Sequence, residues 1–307
     1  MGGHVPPLFS VLVGLVSTED RGRIFETLAA LRLQSGARTW EVILADRCND
    51  AVADRIRIEF PEAAIIASDA HASLPELRTR ALERATGRYV AVTEDHCVPA
   101  VDWLDAMARA FERAPPGTVA VGGCVANGVT DTALDWATFL CEYAALAPPV
   151  GEGPAETLPG MNVAYDAAAL RAFDTGFLRA AFWESSVHPR MRAAGQGLYA
   201  TDAIALRHCK RFTLGLFIRQ RYAYSRQFAG ARFPRGAWVR RVLALAATPL
   251  LPPLLLLRVT RDALRKDPLR AALPRALPYL ALFVLVWAWG EAVGYAFGAG
   301  DCLERIE

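Results

Sequence analysis

Residues 74–104 read LPELRTRALERATGRYVAVTEDHCVPAVDWL, and this stretch decides the fold. Ser73-Leu74-Pro75-Glu76 has the form of a capping box: a hydroxyl, then proline in the first turn, then a glutamate three residues on. It opens a helix that runs to about residue 85. Residues 89–93 (YVAVT) are a short apolar run rich in β-branched side chains, the signature of a strand buried on both faces. The run stops at Glu94-Asp95-His96, and residues 102–113 read as the next helix. Helix, buried strand, acidic turn and helix are the repeating unit of an α/β domain.

The same alternation extends outward. Residues 9–15 form an apolar run that ends in Val16-Ser17-Thr18, and residues 21–33 place Ile24, Leu28 and Leu31 on one helical face. WEVILA at 40–45 is a second buried strand ending at Asp46, residues 51–60 read as a helix, and 63–67 and 119–122 as further strands. Polar residues therefore follow three strands at Ser17-Thr18-Glu19, Asp46 and Glu94-Asp95-His96, the edge of an open α/β sheet where ligands bind. Any one of these acids alone could equally be a turn or helix cap. Neither GxGxxG nor GxxxxGK[ST] follows the first strand, which argues against a dinucleotide dehydrogenase or a P-loop enzyme. A nucleotide bound at this edge needs another device to neutralise its diphosphate, and a metal ion is the obvious one.

Composition bounds the alternatives. With 307 residues, 53% of them hydrophobic, the chain can build a full core and is not disordered. The six cysteines lack the paired short spacing of a zinc ribbon, and the N-terminus does not read as a secretory signal, so reduced thiols in the cytosol are expected. Net charge is +2, but it is unevenly spread. Residues 1–206 carry 17 basic against 26 acidic groups, whereas residues 207–275 carry 16 basic groups against only Asp262 and Asp267. That arginine belt lies among long aliphatic runs, which favours anionic lipid over nucleic acid as its partner. Residues 276–300 hold a single charge, Glu291, and are long enough to cross a bilayer. Residues 242–257 are uncharged but short, and they contain Pro249, Pro252 and Pro253. Keeping both arginine clusters inside points to a shorter run that dips in and returns or lies at the interface, and to a single span by the longer one. A two-helix hairpin is the rival arrangement.

The ordered blocks SVLVGLVSTED, EVILAD, LPELRTRALERATGRYVAVTEDHCVPAVDWL, GMNVAY, FWESSVHPRMRAAG and ALRHC resemble glycosyltransferase family 2 over about residues 8–230. The resemblance implies an α/β GT-A fold, a mainly parallel sheet flanked by helices, followed by a C-terminal membrane-associated helical segment. Residues 1–235 would be the catalytic domain and 236–307 the basic, apolar one. It implies transfer of a sugar from a UDP- or GDP-linked donor to a hydroxyl acceptor, with inversion and with metal assistance. The acceptor expected of a membrane-attached enzyme is a lipid-linked or surface glycan. Membrane lipids are the other expected partner, nucleic acid is not, and the catalytic domain should face the cytoplasm at the inner membrane.

Residue by residue, the resemblance puts Ser17, Thr18, Glu19, Asp46, Arg78, Glu94 and Asp95 at the nucleotide. It puts His96, His208 and Asp95 at the metal, with Glu94 the alternative to Asp95 as the assisting acid, Asn162 and Trp183 at the sugar or acceptor, and Glu184 in the place of the catalytic base. Two positions depart from the family pattern. The usual Asp-any-Asp reads Glu94-Asp95-His96, and a nitrogen ligand in the last slot favours Mn²⁺ over Mg²⁺. The usual acid pair near the base reads Trp183-Glu184. These departures leave two alternatives: a degenerate domain that binds nucleotides or scaffolds a membrane assembly, and a nucleotidyltransferase on a similar sheet. The repeated His-Cys pairs, 96–97 and 208–209, could suggest zinc, but adjacent side chains point apart, and buried inert thiols are the simpler reading.

Overall fold

The computed structural model describes residues 6–17, 19–36, 38–233 and 236–306. The chain divides into two compact units. One comprises residues 1–128 and 148–210; the other comprises residues 129–147 and 211–307. The boundary thus falls about 25 residues before the expected one at 235, and an excursion from the middle of the first unit joins the second.

The first unit opens with β1 (Phe9–Leu15), α1 (Arg23–Arg32), β2 (Trp40–Asp46), α2 (Ala51–Glu59), β3 (Ala63–Ala67), α3 (Leu74–Arg84) and β4 (Tyr89–Glu94). It continues through β5 (Cys97–Pro99), α4 (Trp103–Arg113) and β6 (Thr118–Asn127). The expected elements all form, with α3 capped by Ser73, whose side chain accepts from the Glu76 amide. After the excursion come β7 (Gly153–Pro154), β8 (Val163–Asp166), the short helices 167–171 and 175–181, Glu184–Ala193, and β9 (Gly197–His208).

The sheet order is β3-β2-β1-β4-β8-β6-β9-β5, with β7 on β9. Strands β3, β2, β1 and β4 are parallel, and β6 runs parallel to β9. β8 is antiparallel to both β4 and β6, and β5 is antiparallel to β9. The sheet is therefore mixed, its expected parallel character holding in the first half. Along β1 the side chains alternate between two buried clusters. Phe9, Val11 and Val13 pack with α1 and α4 on one face, and Leu12 packs with α3 on the other. Gly87 in the turn before β4 allows close passage. A Cβ there would stand 2.6 Å from the Ser10 nitrogen, and the Gly87 amide donates to Ser10 Oγ at 2.8 Å.

The second unit is helical: residues 133–143, 214–232, 238–247, 251–264 and 267–297. The first of these is closed by a full capping box between Thr132 and Asp135. Two stretches, Trp238–Leu264 and Asp267–Phe297, are long and apolar enough to cross a membrane. As expected, the α-helical run of the first stretch is interrupted at its prolines, between Ala247 and Leu251. Pro249 lies in a single 3₁₀ turn, and Pro252 and Pro253 fall in the first turn of Leu251–Leu264, where a missing N–H costs no helical hydrogen bond. The longer helix begins at Asp267, well before residue 276, and accommodates Pro274 and Pro278 inside it.

Candidate active site

The sheet itself assembles the site. β4 delivers Glu94 at its C-terminal end, and a tight turn carries the chain through Asp95 and His96 into β5. β5 pairs with the end of β9, setting Cys97 opposite His208, and the Cys209 amide donates to the His96 carbonyl at 2.9 Å. Two histidines 112 residues apart thereby meet, with Nε2 to Nε2 at 3.0 Å and the rings edge to face. Glu94 Oε2 lies 3.3 Å from His96 Nε2. One ligand atom each from Glu94, His96 and His208 lies within 4.8 Å of the others, a spacing that could hold a metal ion.

Of the two acids that could assist at the metal, Glu94 is the one in this trio. The Asp95 carboxylate accepts from Ser17 N at 3.3 Å, Ser17 Oγ at 2.9 Å and His96 Nδ1 at 2.7 Å. Glu94, not Asp95, completes the trio with the two imidazoles. Glu94 is the last residue of β4 and Asp95 the first of the turn, and the two carboxylates take different partners. Asp95 instead fixes the His96 ring, since a carboxylate at Nδ1 puts the proton there and aims Nε2 at the cluster.

Electrostatics follow from this packing. Burial alone would raise the Glu94 and Asp95 pKa values. Hydrogen bonding to His96 and its charge outweigh burial and hold both carboxyls at about 2, helped by Arg78 at Glu94 and by Lys210 and Ser17 at Asp95. Burial pulls the His96 pKa down, but its bonds to Asp95 and Glu94 prevail and raise it. His208 goes the other way. Burial first, and the neighbouring His96 charge second, push it well below its ordinary value. The pair therefore consists of one imidazole that favours a proton and one that presents a lone pair.

Arg78 ties this cluster to the segment that leads into Glu184. One guanidinium nitrogen donates to Glu94 Oε1 at 3.2 Å and another to the Phe182 carbonyl at 3.2 Å, while the Trp183 ring lies 5.3 Å from its carbon. Glu184 begins the helix Glu184–Ala193, half-buried, with its carboxylate over Gly160: a Cβ at residue 160 would collide with Glu184 Oε2. The glycine of GMNVAY is thus what leaves room for the carboxylate.

The remaining expected residues take varied places. Asp46 is fully buried and accepts from the amides of Cys48 and Asn49, shaping the loop after β2. Ser17 is buried against Asp95, Glu19 is exposed, and Thr18 lies outside the described residues. Asn162 is not brought to the site. Its amide donates to the carbonyls of Cys124 and Ile204 and its oxygen accepts from Trp103 Nε1, so it stitches β6, β9 and α4 inside the core. Burial raises the Cys97 and Cys209 thiols, as expected of inert cysteines.

Sequence reading missed Arg21 and Lys210. Arg21 donates to the Ser17 carbonyl at 2.9 Å and approaches Asp46 at 3.9 Å, joining two of the loops at the strand ends. Lys210, one of only two lysines in the chain, is buried beside Asp95 and His96. Its place after the ALRHC block was the available signal.

A mixed sheet of this order with an acidic-histidine cluster at its ligand edge defines the GT-A class. Residues 18–162, just under half of the chain, match the family model "Glycosyl transferase family 2", so the sheet unit carries a glycosyltransferase domain of that family. Among solved structures it is similar in fold to the mannosyltransferase PcManGT from Pyrobaculum calidifontis in complex with GDP-Man and Mn²⁺. That likeness has a TM-score of 0.53 and 19% identity, and covers 94% of this chain and 87% of that one. It is also similar to GalNAc-T7 with UDP, GalNAc and Mn²⁺, at TM-score 0.51 and 14% identity over 74% of this chain. The chain spans about half the length of that second protein, 52% of it. No curated protein matches the chain in sequence.

Proposed function

We propose that the protein transfers a glycosyl group from a nucleoside-diphosphate sugar, UDP- or GDP-linked, to an acceptor hydroxyl with inversion. The observation that carries this reading is the linkage of two groups of opposite duty by one arginine. Arg78 bonds Glu94 of the acidic-histidine cluster and the backbone beside Glu184. The two similar solved structures hold a UDP or a GDP-sugar together with Mn²⁺, which supports the donor class.

Glu94, His96 and His208 would hold a divalent ion, and the donor set fits one. The second ring nitrogen of His96 is anchored by Asp95 in the manner of a metal-ligating histidine, and His208 favours its neutral, ligating form. Two nitrogens and one carboxylate suit Mn²⁺ better than the all-oxygen preference of Mg²⁺. Such an ion supplies charge neutralisation for a departing diphosphate. The chain's own groups do the rest. Asp46 and the Ser17 loop would border the nucleotide, and Arg78 would add positive charge near its diphosphate. Glu184 takes the acceptor proton as the hydroxyl oxygen bonds to the anomeric carbon. The carbon–oxygen bond to the diphosphate breaks in line, and its electron pair leaves with the nucleotide. A single displacement inverts the anomeric centre.

The catalytic unit would work at the cytoplasmic face of the inner membrane, attached through the C-terminal helices, with a lipid-linked or surface-glycan acceptor. The test is a donor panel with and without Mn²⁺. Metal-dependent nucleotide binding with sugar transfer supports the reading; binding without turnover would identify a degenerate nucleotide-binding domain. Release of pyrophosphate from a nucleoside triphosphate would point to a nucleotidyltransferase.

A further inference from the structure

The helical unit bears a large apolar surface that its own packing leaves bare. Trp238, Leu243, Leu250, Leu254 and Leu257 on the first stretch and Leu285 and Trp289 on the second are all more than half exposed. Exposed arginines 240, 258, 261, 265 and 270 border it at the helix ends. An apolar face rimmed by cations is complementary to a bilayer surface carrying anionic headgroups.

The opposite side of helix 267–297 shows how that surface meets lipid. Helix 214–232 lies along its C-terminal half. Phe217 packs on Phe283 at a centroid distance of 4.4 Å. A Cβ on Gly290 would stand 2.8 Å from the Tyr222 carbonyl, and one on Gly294 would stand 2.7 Å from the Ala229 Cβ. Both contacts advance along the two helices together, so the pair run side by side in the same direction. Helix 214–232 is not a membrane helix: it carries Arg219, Arg221, Arg226, Arg232, Gln220 and Gln227, with Arg219 and Arg232 exposed. Helix 133–143 packs on the same long helix, and its Glu142 pairs with Arg221 at 3.3 Å. Beyond that helix, Lys266 donates to the carbonyls of Ala144 and Ala145. A bilayer enclosing helix 267–297 from end to end would enclose these neighbours, and each arginine at its centre costs at least about 2.5 kcal/mol.

We infer that the helical unit is monotopic. Stretches 238–264 and 267–297 lie in the plane of one leaflet, bare face down among the acyl chains and arginine rim on anionic headgroups, and neither crosses. This replaces the single span expected from hydropathy, and it rests on the membrane attachment proposed above. Length alone cannot separate the cases, because helix 267–297 reaches about 46 Å and would suffice for either. What separates them is the polar helix at its back.

The test uses the full chain with Cys48→Ser and single cysteines at exposed positions, added to preformed vesicles of phosphatidylcholine containing about one-third phosphatidylglycerol. A fluorophore at Leu285→Cys should be quenched more by nitroxides near the headgroups than by nitroxides at the acyl ends. Cysteines at Asp267→Cys and Asp301→Cys should both react with an impermeant maleimide added from the protein's own side. The triple variant Arg258→Glu, Arg261→Glu, Arg265→Glu should lose roughly tenfold or more of its flotation with anionic vesicles, and much less with neutral ones. Deep quenching at 285 with residue 267 or 301 shielded would mean a span, overturning the monotopic arrangement while leaving membrane attachment intact. Failure to float with any vesicle overturns both; light scattering would then show whether a second copy covers the face.

Discussion

The two units treat hydrophobic side chains in opposite ways. In the sheet unit, large apolar side chains are enclosed almost completely; among the described residues only Leu33, Ile58 and Val101 are notably exposed. Among the described residues of the helical unit fifteen are exposed, from Leu214 to Phe297. Charged groups also serve different ends in the two units. The sheet unit buries Asp95, His96, His208 and Lys210 together at one edge, whereas the helical unit uses cations to tie backbone. Arg226 donates to the Gly298 carbonyl and Arg241 to that of Tyr295. Burying a cluster of charge is costly unless every member has a partner, so one at the ligand edge of a sheet marks where chemistry is done. Bare apolar surface on a folded unit marks where a partner belongs.

The comparison breaks most sharply at Glu184. Glu184→Gln should lower transfer by about 10²- to 10⁴-fold, the usual weight of a general base, while nucleotide affinity measured by calorimetry stays near wild type. Equal loss of binding and turnover would remove it from that role. Gly160→Ala is the subtler version. The added methyl pushes the Glu184 carboxylate aside, a flexible end that can move, so roughly 10²-fold in kcat should be lost with the melting temperature little changed. His208→Ala should abolish the gain in nucleotide affinity on adding Mn²⁺, and leave metal-free binding unaltered.

Acid stability reads the buried charge of the sheet unit directly. His188 is fully buried; its Nδ1 accepts from the Leu158 amide, and Nε2 meets the Tyr165 hydroxyl at 2.8 Å. Burial lowers its pKa from 6.5 to about 4. The unfolded chain therefore takes up this proton first, and stability is lost as pH falls from about 6.5 to 4, by about 3 kcal/mol. Glu94 and Asp95 have the same sign lower down: their stabilisation, present above the ordinary carboxyl values, disappears as pH drops towards 2. Urea midpoints between pH 7 and 4 test this, and His188→Gln should flatten the slope. The smallest effect belongs to the helical unit. Glu142→Gln weakens a partly buried pair with Arg221, which also stacks at 4.0 Å on Trp287, and should cost about 1 kcal/mol in thermal or urea unfolding.

Much of this molecule was legible along the chain. Alternating buried strands and amphipathic helices gave the α/β class, because side-chain periodicity is local and survives in sequence. Glu94, Asp95 and His96 were visible as candidates, since polar residues directly after strands mark the ligand edge, and Glu184 through the resemblance to glycosyltransferase family 2. Packing decided what each of them does. His208 reaches His96 only because β5 pairs with β9, a contact across 112 residues that no local pattern encodes. Adjacent acids look interchangeable in sequence, yet Glu94 sits at the Nε2 side of His96 with His208, whereas Asp95 bonds Ser17 and the Nδ1 side of His96. Asn162, a plausible ligand in its loop, is consumed by three hydrogen bonds from converging elements. Hydropathy marked one segment long enough for a membrane and one shorter run, but it averages over the helix circumference. Only tertiary structure revealed that one side of the long helix is already occupied by arginine-bearing neighbours, which is why apolar length by itself could not determine whether it crosses.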